Sequence, residues 1–145
     1  MRNEMRLELD ALSINEAFAR VVVSAFVTPV NPTLEELADV KTAVSEAVTN
    51  AVIHGYDGAQ GKVVLHGILQ DGLLHIEVED RGKGIEDVEK AMEPLFTTRP
   101  ELERSGMGFS FMEAFMDRLE VRSEPGEGTL VIMEKQFGSQ GQDEE

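Results

Sequence analysis

The sequence predicts one domain that mixes helices and strands, of α/β (α+β) class. Three observations carry this expectation. Some short segments alternate apolar and polar residues with a period of two, and others repeat apolar residues at helical spacing. The strand-like segments of the middle and end of the chain come in pairs, each joined by a short turn. A length of 145 residues suits one domain with a real core, and 41% hydrophobic with 28% charged residues is ordinary globular usage.

Met5, Leu7 and Leu9 alternate with Arg6, Glu8 and Asp10, which predicts a first strand. Ser13 and Glu16 have the spacing of a capping box, and behind them Ile14, Phe18, Val21, Ala25 and Phe26 recur at helical spacing. That stripe is the expected core face of a first helix, which Pro29 and Pro32 end. Thr33 and Glu36 form a second box, and Leu37, Val40, Val44, Ala47, Val48 and Ala51 carry a second helix to Gly55.

A glycine-rich turn at Asp57 to Gly61 leads into a hairpin. Val63 to Leu69 and Leu73 to Glu79 are strand-like, with Asp71-Gly72 as the turn between them. From Gly82 to Gly108 the chain is irregular and charged, apart from a short helical stretch around Val88 to Met92. Phe109, Met112, Phe115, Met116 and Leu119 predict a third helix. Leu119 to Ser123 and Thr129 to Lys135 predict two closing strands, joined by Pro125-Gly126-Glu127-Gly128. Residues 1–137 are expected to form the domain, and Gly138 to Glu145 a disordered polar tail.

Composition narrows the function classes. With no cysteine, neither a disulfide nor a cysteine metal site can form. The first thirty residues do not read as a signal peptide, and no apolar run approaches the roughly 18 residues of a membrane span. A soluble, cytoplasmic protein is expected. A net charge of −15 opposes direct association with nucleic acid.

Four short motifs carry the chemistry: Glu46-Ala47-Val48-Thr49-Asn50, Asp80-Arg81-Gly82-Lys83-Gly84, Gly106-Met107-Gly108-Phe109 and Gly126-Glu127-Gly128-Thr129. Glu46 and Asn50 lie four apart on the second helix and so share a face. A carboxylate held at the rim of a largely buried helix can act as a base, and a neutral Asn suits one corner of a Mg²⁺ site completed by phosphate and water. Asp80 follows a strand in which Leu74, Ile76 and Val78 share one face, so its side chain falls in phase with the apolar set. An inward carboxylate needs donors; it either caps the turn at Arg81-Gly82 or accepts from an exocyclic amine such as that of adenine. Gly106 and Gly108 precede the third helix, where bare backbone N–H groups suit an anion. Thr97 and Thr98 add hydroxyls nearby, as phosphate contacts or as turn residues. An acidic chain that binds ATP must neutralise its phosphates locally, with a cation, backbone N–H groups and a few basic side chains.

Taken together, these motifs resemble the Bergerat-fold (GHKL) ATP-binding family of topoisomerase, mismatch-repair, histidine-kinase and anti-sigma-kinase domains. Glu46 and Asn50 match its N box, Asp80-x-Gly82-x-Gly84 its first glycine box, and Gly106-Met107-Gly108 its second. Thr129 matches the threonine that supports the adenine-binding aspartate. Residues 45–51 and 94–109, the latter ending in Phe109, are especially similar to the anti-sigma F branch, serine kinases of spore-forming bacteria.

The resemblance implies a two-layer α/β sandwich, a mostly antiparallel sheet with helices on one face, and a mobile ATP lid from about Ile85 to Ser105. It implies ATP and Mg²⁺ as cofactors, with Asn50 as the metal ligand. Glu46 would be the base in transfer to a partner serine, and the N–H groups of residues 106–109 would hold phosphate. It also implies a sigma factor (sigma F) and an anti-sigma antagonist as partners, and a homodimer. A histidine-kinase-like module, a clamp-type ATPase and a nucleotide-gated binding protein without significant catalysis remain as alternatives. Arg20, Val23 and Val27 lie outside the expected apolar stripe of the first helix, which makes Arg20 a candidate partner contact.

Overall fold

In a computed structural model, which describes residues 1–93 and 108–138, one face of an antiparallel sheet is covered by helices. In chain order the elements are β1 (Arg2–Asp10), α1 (Asn15–Val27), α2 (Leu34–Asn50), β2 (Lys62–Gln70), β3 (Leu73–Asp80), α3 (Val88–Ala91), α4 (Gly108–Phe115), β4 (Arg118–Glu124) and β5 (Gly128–Gln136). The strands lie in the order β1-β2-β3-β5-β4, and every neighbouring pair is antiparallel. Period-two alternation decides what each face holds. Leu65, Leu74, Ile76, Val78, Val131 and Met133 point into the core, whereas His66, His75, Glu77 and Glu134 stay half-exposed on the other side. The β2–β3 turn has Asp71 at φ 53° and Gly72 at φ 79°, the paired left-handed conformation that suits the twist of a two-residue hairpin.

The second capping box forms as its spacing predicts. The Glu36 N–H donates to Thr33 Oγ1 at 3.0 Å, and the Thr33 N–H donates to Glu36 Oε1 at 2.9 Å. From there Val40, Ala43, Val44, Ala47 and Val48 run along the buried face of α2. The helix does not stop at Asn50; it widens into a π-helical turn over Ala51–Tyr56.

The first helix corrects two expectations. Ser13 does not cap α1: the helix begins behind Ile14 with no side-chain cap, and Glu16 instead accepts hydrogen bonds from the Ser45 hydroxyl on α2. Much of the expected core stripe is also turned outward, with Ile14, Phe18 and Val21 at 78%, 51% and 64% exposure, whereas Phe26 packs against the core as expected. Ala19, Val23 and Val27 are fully buried in its place. The reason is that Ala19, Val23 and Val27 form a second apolar row on the same helix, and the fold buries that row. The hydrogen bond from Ser45 on α2 to Glu16 on α1 is consistent with this rotation and joins the two helices. Val23 and Val27 are therefore core residues, and Arg20 lies beside the exposed stripe, 3.6 Å from Glu16.

Among the described residues no helix is long and apolar enough to cross a membrane. Most of the expected lid, residues 94–105, falls outside the described residues, as do residues 139–145 of the expected tail.

Candidate functional site

Asp80 is the last residue of β3 and one of few charged side chains facing the core, at 4% exposure. Its phase in the strand puts it there. The β3–β5 register sets it opposite Thr129, whose backbone N–H donates to the carboxylate. The Gly82 N–H donates to Asp80 Oδ1 at 2.9 Å, so the carboxylate does cap the turn that follows it. Burial raises its pKa from 3.8 to about 6, and these two backbone donors offset only part of that rise. A carboxylate has about four lone-pair directions. Two are used, which leaves capacity for a further donor.

Three stretches of backbone close around this carboxylate. The Lys83 N–H donates to the Gly55 carbonyl at 2.8 Å, and the Gly126 N–H donates to the Lys83 carbonyl at 2.6 Å. A Cβ on Gly55 would lie 2.8 Å from the Asp80 carboxyl carbon, and one on Gly82 would lie 1.9 Å from the Gly55 carbonyl oxygen. Both positions require glycine because backbone and carboxylate approach too closely for any side chain. Gly84 occupies the same tight crossing, against the Glu124 carbonyl. Ser123 ties the strands beneath: its hydroxyl accepts the Ile85 N–H at 2.7 Å and lies 2.9 Å from Thr129 Oγ1. The Tyr56 hydroxyl donates to the Lys62 carbonyl at 2.6 Å and accepts the Arg81 N–H at 2.8 Å, which fixes the start of the glycine loop.

Glu46 and Asn50 are half-buried on the last turns of α2, and Asn50 immediately precedes the π-helical turn. A π-helix bonds residues five apart, so Asn50 stands one wide turn before Gly55. The same helix therefore carries Glu46, Asn50 and the glycine that lies against Asp80. Gly108 and Phe109 are the first described residues of α4, both buried, and the Phe109 ring belongs to the core. Thr97, Thr98, Gly106 and Met107 lie outside the described residues.

The structure thus unites Asp80, Gly82 and Thr129 directly, with Gly84 in the same loop. Gly55, Ser123 and Tyr56 were missed by the sequence reading. Gly55 was read only as a helix end, and no local pattern in Ser123 or Tyr56 announces a long-range hydrogen bond. Among the described residues no three His, Asp or Glu side chains are grouped to hold a metal. Asn50 supplies one neutral oxygen, a donor set that fits Mg²⁺ held mainly by phosphate and water.

Comparisons with known proteins bear on the family and the fold. Residues 9–135 match the family model described as histidine kinase-like ATPase domain. An anti-sigma F factor of Clostridium acetobutylicum is 58% identical over 137 residues, covering 94% of this chain and 96% of its own. The anti-sigma F factor of Geobacillus kaustophilus is 57% identical over 136 residues, covering 93% of each chain. Among solved structures, the RsbU and RsbW domains of a Mycobacterium tuberculosis protein align with a TM-score of 0.67 at 22% identity. That match covers 93% of this chain and 32% of the other, and at such identity it speaks for the fold alone. A family model over residues 9–135 and relatives 57–58% identical over nearly the whole chain lead to one assignment: this chain belongs to the anti-sigma F factors, within the histidine kinase-like ATPase family.

Proposed function

We propose that the chain binds ATP with its adenine amine on Asp80, holds a sigma factor of the F class, and phosphorylates an antagonist protein on serine. The observation that carries the nucleotide reading is the Asp80 carboxylate, buried, fixed by two backbone N–H groups and still able to accept. An amine donor there would offset the desolvation that raises the carboxyl's pKa. Gly55, having no side chain, leaves the approach to that carboxylate flat enough for a ring.

ATP supplies the phosphoryl group, and Mg²⁺ bound with it spreads the phosphate charge. The chain's own residues position and deprotonate. Asn50 offers its side-chain oxygen to the cation, and the N–H groups at the start of α4 face phosphate. Thr97, Thr98, Gly106 and Met107 belong to the phosphate side of the site on the strength of the resemblance. Glu46 accepts the proton of the partner's serine hydroxyl as that oxygen becomes the nucleophile.

The protein acts in the cytoplasm as a homodimer, for which the exposed stripe of Ile14, Phe18 and Val21 is the suitable surface. Arg20, partly exposed beside that stripe, suits a partner carboxylate.

The test is incubation with γ-labelled ATP and Mg²⁺, with and without the antagonist protein, comparing wild type with Glu46→Ala. Label on a partner serine, reduced about 10²–10⁴-fold in the variant while ATP affinity holds, is expected. Free phosphate without labelled partner would overturn the kinase reading in favour of an ATPase. Equal transfer by Glu46→Ala would remove Glu46 as the base.

A further inference from the structure

Lys135 is a buried cation that the reaction described above does not use. It lies on β5 in phase with Val131, Met133 and Phe137, all core residues, and retains only 9% exposure. A lysine on the inward face of a sheet is costly unless its three donors are met. Its ammonium donates to the Phe115 carbonyl at 2.9 Å and stands 3.5 Å from Asp39 Oδ2. Phe115 is the last residue of α4, so the cation sits where the helix dipole and the unpaired carbonyls are negative. Asp39 belongs to α2.

One side chain therefore ties the sheet to both helices of the site at once. Helix α4 has eight residues, and its principal packing partner is α2. It rises about 10 Å over that length. The seven steps from Asp39 to Glu46 rise about as far along α2. Asp39 stands on the same helix as Glu46 and Asn50, so a tie that joins the end of α4 to Asp39 bears on how α4 lies against the helix that carries them.

We infer that Lys135 is a positioning residue for phosphate recognition, fixing α4 against α2 and so setting the N–H groups of its first turn relative to Glu46 and Asn50. The inference rests on the ATP-binding reading and adds a residue remote from the ligand. It separates two parts of nucleotide binding. Phosphate contacts depend on where α4 begins; the adenine contact at Asp80 is built from β3, β5 and the glycine loop and does not involve α4.

The experiment measures dissociation constants for ATP and adenosine by calorimetry on wild type, Lys135→Met, Lys135→Arg and Asp39→Asn, each checked as folded by circular dichroism. Lys135→Met should lose about tenfold in ATP affinity as α4 loses its tie to α2 and the sheet, with adenosine affinity unchanged. Lys135→Arg should restore most of the loss, and Asp39→Asn should shift the same ratio by about threefold. A general weakening of the fold would lower both affinities together and leave the ratio alone. An unchanged ratio in folded Lys135→Met overturns the inference; should that variant not fold, an unchanged ratio in Asp39→Asn does so. Wild type that binds neither ligand would overturn the ATP-binding reading itself, an outcome visible before any substitution is made.

Discussion

Helices α1 and α2 carry the same kind of start signal and similar runs of alanine and valine, yet the fold uses them differently. In α2 the capping box closes, the predicted face is buried, and the far end bends onto Asp80. In α1 the box stays open, the predicted face is outside, and a different set of residues makes the core. Polar residues mark the outer side of α2 and leave one choice of face. α1 has apolar residues on both sides, so contacts made by other elements choose its rotation.

The largest expected effect comes from the outward face of α1. If Ile14, Phe18 and Val21 meet a second copy, the double substitution Phe18→Glu and Val21→Glu should weaken self-association about a hundredfold or more. Sedimentation equilibrium reads that change directly. The monomer's melting temperature should barely move, because neither side chain is part of the core. Undiminished self-association would mean the stripe serves something other than a second copy.

The α2 side of the comparison can be sharpened with pH. Asp80 has a folded pKa raised from 3.8 to about 6, so the folded chain binds this proton more readily than the unfolded one. Its contribution to stability therefore improves as pH falls from about 6 to 4, by on the order of 2–3 kcal/mol. Adenosine binding should run the other way: a protonated carboxyl is a poorer acceptor, and affinity should fall by up to about tenfold per pH unit below 6. Opposed trends in one protein, both absent from Asp80→Asn, would be the signature. Parallel trends would detach Asp80 from the ligand.

A third effect compares the two buried faces. Val23 on α1 and Val44 on α2 are both fully buried, so alanine at either should destabilise by about 2 kcal/mol in urea unfolding. The equality matters, because the stripe expected from the sequence would make Val23 nearly neutral.

How much of this was legible in the sequence follows from the range of the interactions involved. Strand phase was readable because burial on a sheet alternates residue by residue, and that rule alone placed Asp80 inside. Asp71-Gly72 and Thr33-x-x-Glu36 were readable because their hydrogen bonds close within four residues. The closing strands were read to within a few residues, although Leu119 proved to belong to β4 rather than to the third helix. Gly55 against Asp80, Ser123 beneath Thr129 and Lys135 under Phe115 join residues from 6 to 25 positions apart, and no local pattern announces them. The widening of α2 at Ala51 was equally hidden. Its sequence keeps helical periodicity, while the Gly55 carbonyl at the far end of the wide turn accepts from the glycine loop.

The smallest effect is the most discriminating, because it sets two identical signals against each other. Thr33→Ala removes the acceptor of the Glu36 N–H and should cost about 1 kcal/mol. Ser13→Ala, at the same position of the same motif, should cost almost nothing, since no hydroxyl–backbone bond exists there to lose. Glu16, the third residue after Ser13, is already committed to Ser45 across the helix pair, and it cannot also reach back to close the box. Glu16→Gln should therefore be felt through the α1–α2 contact and not through helix initiation. A thermodynamic cycle between Glu16→Gln and Ser45→Ala would show coupling, whereas one between Glu16→Gln and Ser13→Ala would not. The reverse pattern would mean that α1 rotates to the face its period predicts, and the apolar stripe offered to a second copy would then belong to the core.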